Sequence, residues 1–215
     1  MKSMTVFFDL GGTLIGTPDM GETISRKLGE TWPDSNVGNL FLHTINRWRY
    51  EIDRTPFMNI AEVMKDTLAI LARKHGYRDI SHQACNICFD VYAYQSFLFP
   101  ETISVLDKLA ENGTEMIIAS DNDMDILEIQ LSMHNLNKYF SDMCISESVK
   151  AYKPSDKFIS HLEKYSRGRE EFDVVSGRKL GVNSVLINRN GRGENPGADY
   201  VIHDLNGILP LLDLE

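Results

Sequence analysis

The first apolar run, Met4-Thr-Val-Phe-Phe-Asp-Leu10, is short, rich in β-branched and aromatic residues, and stops at Gly11-Gly12. It predicts a buried strand with Asp9 at its C-terminal end. Beyond Thr17 the period changes. Apolar positions recur at helical spacing in Leu40/Thr44/Trp48, Ile60/Val63/Met64/Thr67/Leu68/Leu71 and Cys85/Cys88/Phe89/Tyr92, with no convincing strand before Phe97. A helical block of about 80 residues far exceeds an ordinary strand-to-helix loop and reads as an inserted unit.

After Phe99-Pro100 strands and helices alternate. Glu101 to Glu111 carries apolar Ile103, Leu106 and Leu109 and stops at Asn112-Gly113, a helix end. A strand at Glu115–Ser120 follows, then the polar turn Asp121-Asn-Asp123 and a helix to about Leu136. Asp142–Ser146 predicts another strand, Pro154–Lys164 a helix, and Asn183–Asn188 and Asp199–Ile202 two more strands, with a helical turn over Leu205–Leu212. This alternation predicts an α/β fold, a Rossmann-like parallel sheet with helices on both faces. The expected core domain is 1–16 and 98–215, and the expected all-helical cap domain is 17–97. Ligands of such sheets bind beyond the carboxyl ends of the strands. Asp9, Ser120 and the segment around Lys153 all follow predicted strands and can converge there.

Composition narrows the picture. The chain has 22 Lys and Arg against 31 Asp and Glu, a net charge of −9, the wrong sign for holding a phosphate backbone, so nucleic acid is not an expected partner. Its longest charge-free stretches, such as Val91 to Pro100, fall short of the roughly 18 apolar residues a membrane helix needs. The short apolar run cut by Asp9 is no secretory leader, so a cytoplasmic address is expected. Three cysteines make no disulfide framework, in keeping with a reducing compartment. Cys85-Asn-Ile-Cys88 lies on a predicted apolar helix stripe and reads as core rather than as a zinc site. The histidines show no ligand spacing, Arg47-Trp-Arg49 reads as a solvated helix face, and Gly191 to Gly197 reads as a loop.

Three segments carry chemistry together. Phe8-Asp-Leu-Gly-Gly-Thr-Leu14, Ser120-Asp-Asn122 and Lys153-Pro154 followed by Phe158 resemble, in this order, the first three motifs of the haloacid dehalogenase-like hydrolases. The text between them, Phe99-Pro100, Leu106, Leu109, Gly113 and Tyr139-Phe140, is similar too. The likeness covers about 4–15 and 98–215, and the insertion stands where one subgroup carries its cap. The resemblance implies that Asp9 is a nucleophile, which as a carboxylate needs no base to activate it at neutral pH. Ser120 and Lys153 would hold the transferring oxygens, with Lys153 also neutralising Asp9. Gly12, Thr13 and Asn122 would line the phosphate, the Gly11-Gly12 pair allowing a tight turn. A Mg²⁺ ion would be held by Asp9, the Gly11 carbonyl and Asp173. The implied substrate is a small phosphorylated molecule, and the expected assembly is a monomer or homodimer.

Two departures stand out. Phosphatases of this family carry a second acid two residues after the nucleophile, where this chain has Gly11; loss of a general acid costs about 10²–10⁴ in rate. The family's fourth motif is a strand ending in Gly-Asp, with a further Asp opening a helix. Phe172 to Gly181 resembles that helix, with Asp173 as its acid, but no Gly-Asp precedes it. Reading Phe172–Val175 as a strand instead leaves only Gly177 to Gly181 for a crossover that needs about a dozen residues, so the helix is preferred. Three functions stay open: a weakened magnesium phosphatase, a metal-free 2-haloacid dehalogenase whose halide leaves without a proton, and an inactive binding protein on the same fold.

Overall fold

The computed structural model describes residues 4–30, 38, 40, 41, 43, 56–74, 76, 81–165, 171–173, 177–189 and 197–214. Thr44, Arg47-Trp48-Arg49, Val174 to Ser176 and most of the Gly191 to Gly197 loop lie outside them.

Among the described residues eight short strands are formed: β1 (Thr5–Phe8), β2 (Ile15–Gly16), β3 (Phe97–Leu98), β4 (Glu115–Ser120), β5 (Asp142–Ile145), β6 (Glu171–Asp173), β7 (Asn183–Ile187) and β8 (Tyr200–Ile202). Six of them make one sheet in the order β5-β4-β1-β6-β7-β8. Every pairing in it is parallel. β2 and β3 form a separate antiparallel ribbon. β1 lies inside the sheet, and all four of its residues are buried, as its unbroken Thr-Val-Phe-Phe run requires of a strand covered on both faces. Phe7 packs with Ile117, Ala119, Cys144, Phe158 and Leu162 on one side.

By density of contacts the chain divides into two units. The first, residues 1–16, 97–121 and 134–215, holds all the strands. Helix Thr102–Glu111 in it ends as expected. Gly113 adopts φ +71°, and the N–H groups of Gly113 and Thr114 donate to Ala110 and Leu109, closing the last turn.

The second unit, residues 17–96 and 122–133, is helical. Helix Ile60–Lys74 buries Ile60, Val63, Met64, Thr67, Leu68 and Leu71, the predicted stripe. Its partner Ser81–Tyr94 contributes Ala84, Cys88 and Val91 to the same core, with Ile24 and Leu28 of helix Met20–Gly29. Cys88 is fully enclosed there and Cys85 packs against the cluster. Burial raises both thiol pKa values, so these cysteines are protonated packing groups at neutral pH. Asp123 is buried in this unit, and its carboxylate accepts the N–H groups of Ile60 and Ala61, both at 2.8 Å, capping that helix from a distant part of the sequence. Among the described residues no helix is long and apolar enough to cross a membrane.

The structure corrects one element. Glu171–Asp173 is a strand, not the start of a helix, and among the described residues that follow it Gly177–Leu180 is helical. The reason lies in β1: an interior strand presents backbone donors and acceptors on both edges, and buried polar groups demand partners. β6 supplies those on the side away from β4, with Thr5 opposite Glu171 and Phe7 opposite Asp173. The crossover to β7 is short because β6 has three residues and the helix after it a single turn.

Candidate active site

Asp9 is the residue immediately beyond β1, and Ala119 stands at the same level on β4, because Phe8 pairs with Ile118. Lys153 spans the two strand ends. Its Nζ lies 3.1 Å from Asp9 Oδ1 and donates to the Ala119 carbonyl at 2.7 Å. The lysine side chain is 5% exposed and that of Asp9 24%, so the ammonium is enclosed while the carboxylate keeps an open side. A cation held this way faces the Asp9 carboxylate on one side and leaves its other side accessible to an electrophile. The lysine backbone is held too, because its N–H donates to Asp121 Oδ1 at 2.9 Å.

The turn after Asp9 is closed on itself. Leu10 carbonyl accepts the N–H groups of Thr13, Leu14 and Ile15, and Gly12 N–H donates to Ile15 carbonyl at 2.7 Å. Gly12 sits at φ +79°, in the left-handed region that only glycine enters at no cost. Thr13 is buried and Gly11 and Gly12 are exposed. Ser120 is buried at the end of β4. Asp9, Gly11, Gly12, Thr13, Ser120 and Lys153 thus share the carboxyl-end rim of the first unit, as the motif order implied. Asn122 belongs to the second unit, where its amide donates to Gln130 Oε1 at 3.2 Å and its carbonyl oxygen accepts Asp123 N–H.

Magnesium, implied by the resemblance, meets an incomplete donor set. Asp173 pairs with Phe7, two residues short of the level of Asp9, and opens no helix. Val174 to Gly181 contains no acidic residue at all. Among the described residues no group of three or more His, Cys, Asp or Glu side chains is arranged to hold a metal ion. Asp9 and the Gly11 carbonyl would supply two of its oxygens, with water and substrate for the rest, and the further carboxylate implied at Asp173 is not at their level.

Three groups escaped the sequence reading. Asp121 holds the Lys153 backbone, and Arg189, at the end of β7, donates to the Gly12 and Thr13 carbonyls and pairs with Glu101 at 2.6 Å. Polar residues just after strands were the signal available for both Asp121 and Arg189, and the resemblance gave neither a role. Glu101 is opposed by burial, but its own backbone N–H, the Arg189 guanidinium and Leu205 N–H outweigh that and hold its carboxyl below the ordinary value of about 4.5. A carboxyl lowered on folding stabilises above its unfolded pKa and ceases to do so as pH falls through the folded one. Glu101→Gln is therefore expected to lower the melting temperature at pH 7 by a few degrees, about 1–2 kcal/mol. That gap to wild type should shrink below about pH 4.5 in a pH series of thermal melts.

Fold and site together define an α/β core with a carboxylate and a buried lysine paired at the strand ends. A sequence profile described as haloacid dehalogenase-like hydrolase matches residues 6–187. The chain belongs to that family. The pyrophosphatase PpaX of Bacillus mycoides (strain KBAB4) is 25% identical over 236 residues, 99% of this chain and 98% of that protein. Among solved structures, the L-2-haloacid dehalogenase of Xanthobacter autotrophicus with chloropropionic acid covalently bound superposes with a TM-score of 0.74 at 14% identity, covering 99% of each chain. The HAD-hydrolase YfnB of Bacillus subtilis, bound to magnesium, gives 0.75 at 15% identity, again over 99% of each chain. These likenesses establish the same fold.

Proposed function

We propose that this hydrolase cleaves a phosphate ester or anhydride of a small molecule through a covalent phosphoryl intermediate on Asp9. The observation that carries the reading is the 3.1 Å pair between Asp9 and the enclosed Lys153 ammonium. A carboxylate oxygen attacks phosphorus, the bond to the leaving oxygen breaks, and that oxygen departs with the electron pair. Lys153 lies where charge accumulates on the phosphoryl oxygens, and the buried Ser120 hydroxyl stands at the neighbouring strand end. Water then attacks the intermediate, releasing phosphate and regenerating Asp9. The full-length likeness to proteins described as pyrophosphatases supports this substrate class.

Gly11 supplies no acid to protonate a leaving group, so the site suits leaving groups that depart as stable anions. That observation favours one second reading, hydrolysis of a carbon–halogen bond with Asp9 as the attacking oxygen, and the covalent chloropropionic acid in a protein of the same fold supports it. An assay of aryl phosphate and 2-chloropropionate, each with and without Mg²⁺, separates the two. Phosphate release lost in Asp9→Asn supports the first reading; chloride release alone overturns it.

Gly11→Asp supplies the missing acid. Beyond its own chain neighbours no heavy atom lies within 4 Å of where its Cβ would stand, and Gly11 is not among the glycines at positive φ. The variant is expected to raise turnover of a poor-leaving-group alkyl phosphate about tenfold or more, and that of an aryl phosphate much less. Parallel rate measurements on the two substrates check this.

A further inference from the structure

We propose that Arg189 is a positioning residue for the nucleophile, acting through the backbone of the turn that follows Asp9. The inference rests on Asp9 being the attacking group, as proposed above.

Arg189 follows Asn188 at the end of β7, two strands from β1 in the sheet, and its sequence separation from the turn is long. Its guanidinium reaches back over the rim. Nε donates to the Gly12 carbonyl at 3.2 Å and Nη2 to the Thr13 carbonyl at 2.8 Å. Nη1 meets Glu101 Oε1 at 2.6 Å, and the guanidinium carbon lies 3.4 Å from the centre of the Phe99 ring. Glu101 is in turn fixed by the Leu205 N–H at 3.2 Å. A planar fork used on three acceptors and stacked on an aromatic face has little freedom left, which a lysine at the same place would not reproduce.

The two carbonyls it takes are informative. Gly12 carbonyl belongs to the peptide whose N–H is that of Thr13, and Thr13 carbonyl to the peptide whose N–H is that of Leu14. Both N–H groups point the other way, to the carbonyl of Leu10, the residue after Asp9. The two peptides are therefore strung between the Arg189 cation and Leu10, and a charge at one end of such a chain strengthens the bonds at the other. Two further carbonyls of the turn are tied elsewhere, Leu14 to the Thr102 hydroxyl at 2.8 Å and Ile15 to Gly12 N–H. With two adjacent glycines in it, the turn has little stiffness of its own, and holding Leu10 holds the start of the Asp9 side chain in line with Lys153. Arg189 touches no reacting atom in this arrangement.

The experiment compares wild type with Arg189→Met and Arg189→Lys by two independent readouts. The first is hydrogen exchange of a peptide spanning the turn after β1, with a peptide of β4 as internal reference. The second is the steady-state kinetics of aryl phosphate hydrolysis. Arg189→Met is expected to speed exchange of the turn amides at least tenfold with the β4 amides unchanged, and to lower kcat about tenfold with KM within about threefold. Arg189→Lys is expected to recover only part of either effect. Unchanged exchange in the turn overturns the inference, as does a loss that raises KM alone. Should wild type turn over neither phosphate nor chloro acid, the hydrolase reading fails while the exchange result still decides whether Arg189 holds the turn. If Arg189→Met does not fold, Arg189→Lys carries both readouts.

Discussion

Asp9→Asn is expected to reduce turnover by at least about 10⁴-fold, because an amide oxygen cannot form the covalent intermediate and no neighbouring group replaces it. The substitution keeps volume and shape, and its amide oxygen can still accept from Lys153. Lys153 Nζ also retains the Ala119 carbonyl at 2.7 Å. The cost is therefore concentrated in the chemical step, with a stability loss of about 1–3 kcal/mol from an enclosed ammonium that has lost its counter-charge. Phosphate release and a thermal melt on the same preparation separate the two effects. Turnover within tenfold of wild type would remove Asp9 from the nucleophile's role.

Lys153→Met is the second large effect. The methionine stem fills much of the same enclosed path, and the backbone N–H that donates to Asp121 is untouched, so the segment should keep its course. What disappears is the cation that lies 3.1 Å from Asp9. Removing one preorganised donor from an enclosed site costs about 10²–10³ in kcat. Because Asp9 and Lys153 act as one unit, the double variant should be no worse than Asp9→Asn alone, the non-additivity expected of groups that share one step. Kinetics of the four proteins in that cycle test it; an additive loss would mean that Lys153 acts elsewhere.

The candidate rim was legible because its residues carry local marks. Asp9 interrupts an otherwise apolar strand, Gly11-Gly12 ends it, Ser120 closes a second apolar strand, and Lys153-Pro154 was marked by its resemblance to a family motif. The helical insertion was legible for the same reason, with Ile60 to Leu71 repeating at a spacing only one face of a helix satisfies. β6 was not: Phe172–Val175 can be read as a strand, but only Gly177 to Gly181 is then left for the crossover, which favours a helix over the strand that forms. Its formation is dictated by the unpaired edge of β1, a demand made by the sheet and invisible in the local sequence. Helix Met124–Met133 shows the same limit: buried Ile126, Leu127 and Leu131 announce a helix but not which unit it joins, and it groups with the helical one. Arg189 is the strongest case. An arginine after a strand looks like any solvated cation, and only the fold brings it to carbonyls more than 170 positions away in sequence.

An attacking Asp9 carries a covalent phosphoryl group during turnover. Mass spectrometry of protein quenched in acid during turnover of an aryl phosphate tests it most directly. One added phosphoryl group is expected on the peptide containing Asp9, present in wild type during turnover and absent in Asp9→Asn. Sustained turnover with that peptide unmodified, or with the group on another residue, would contradict it.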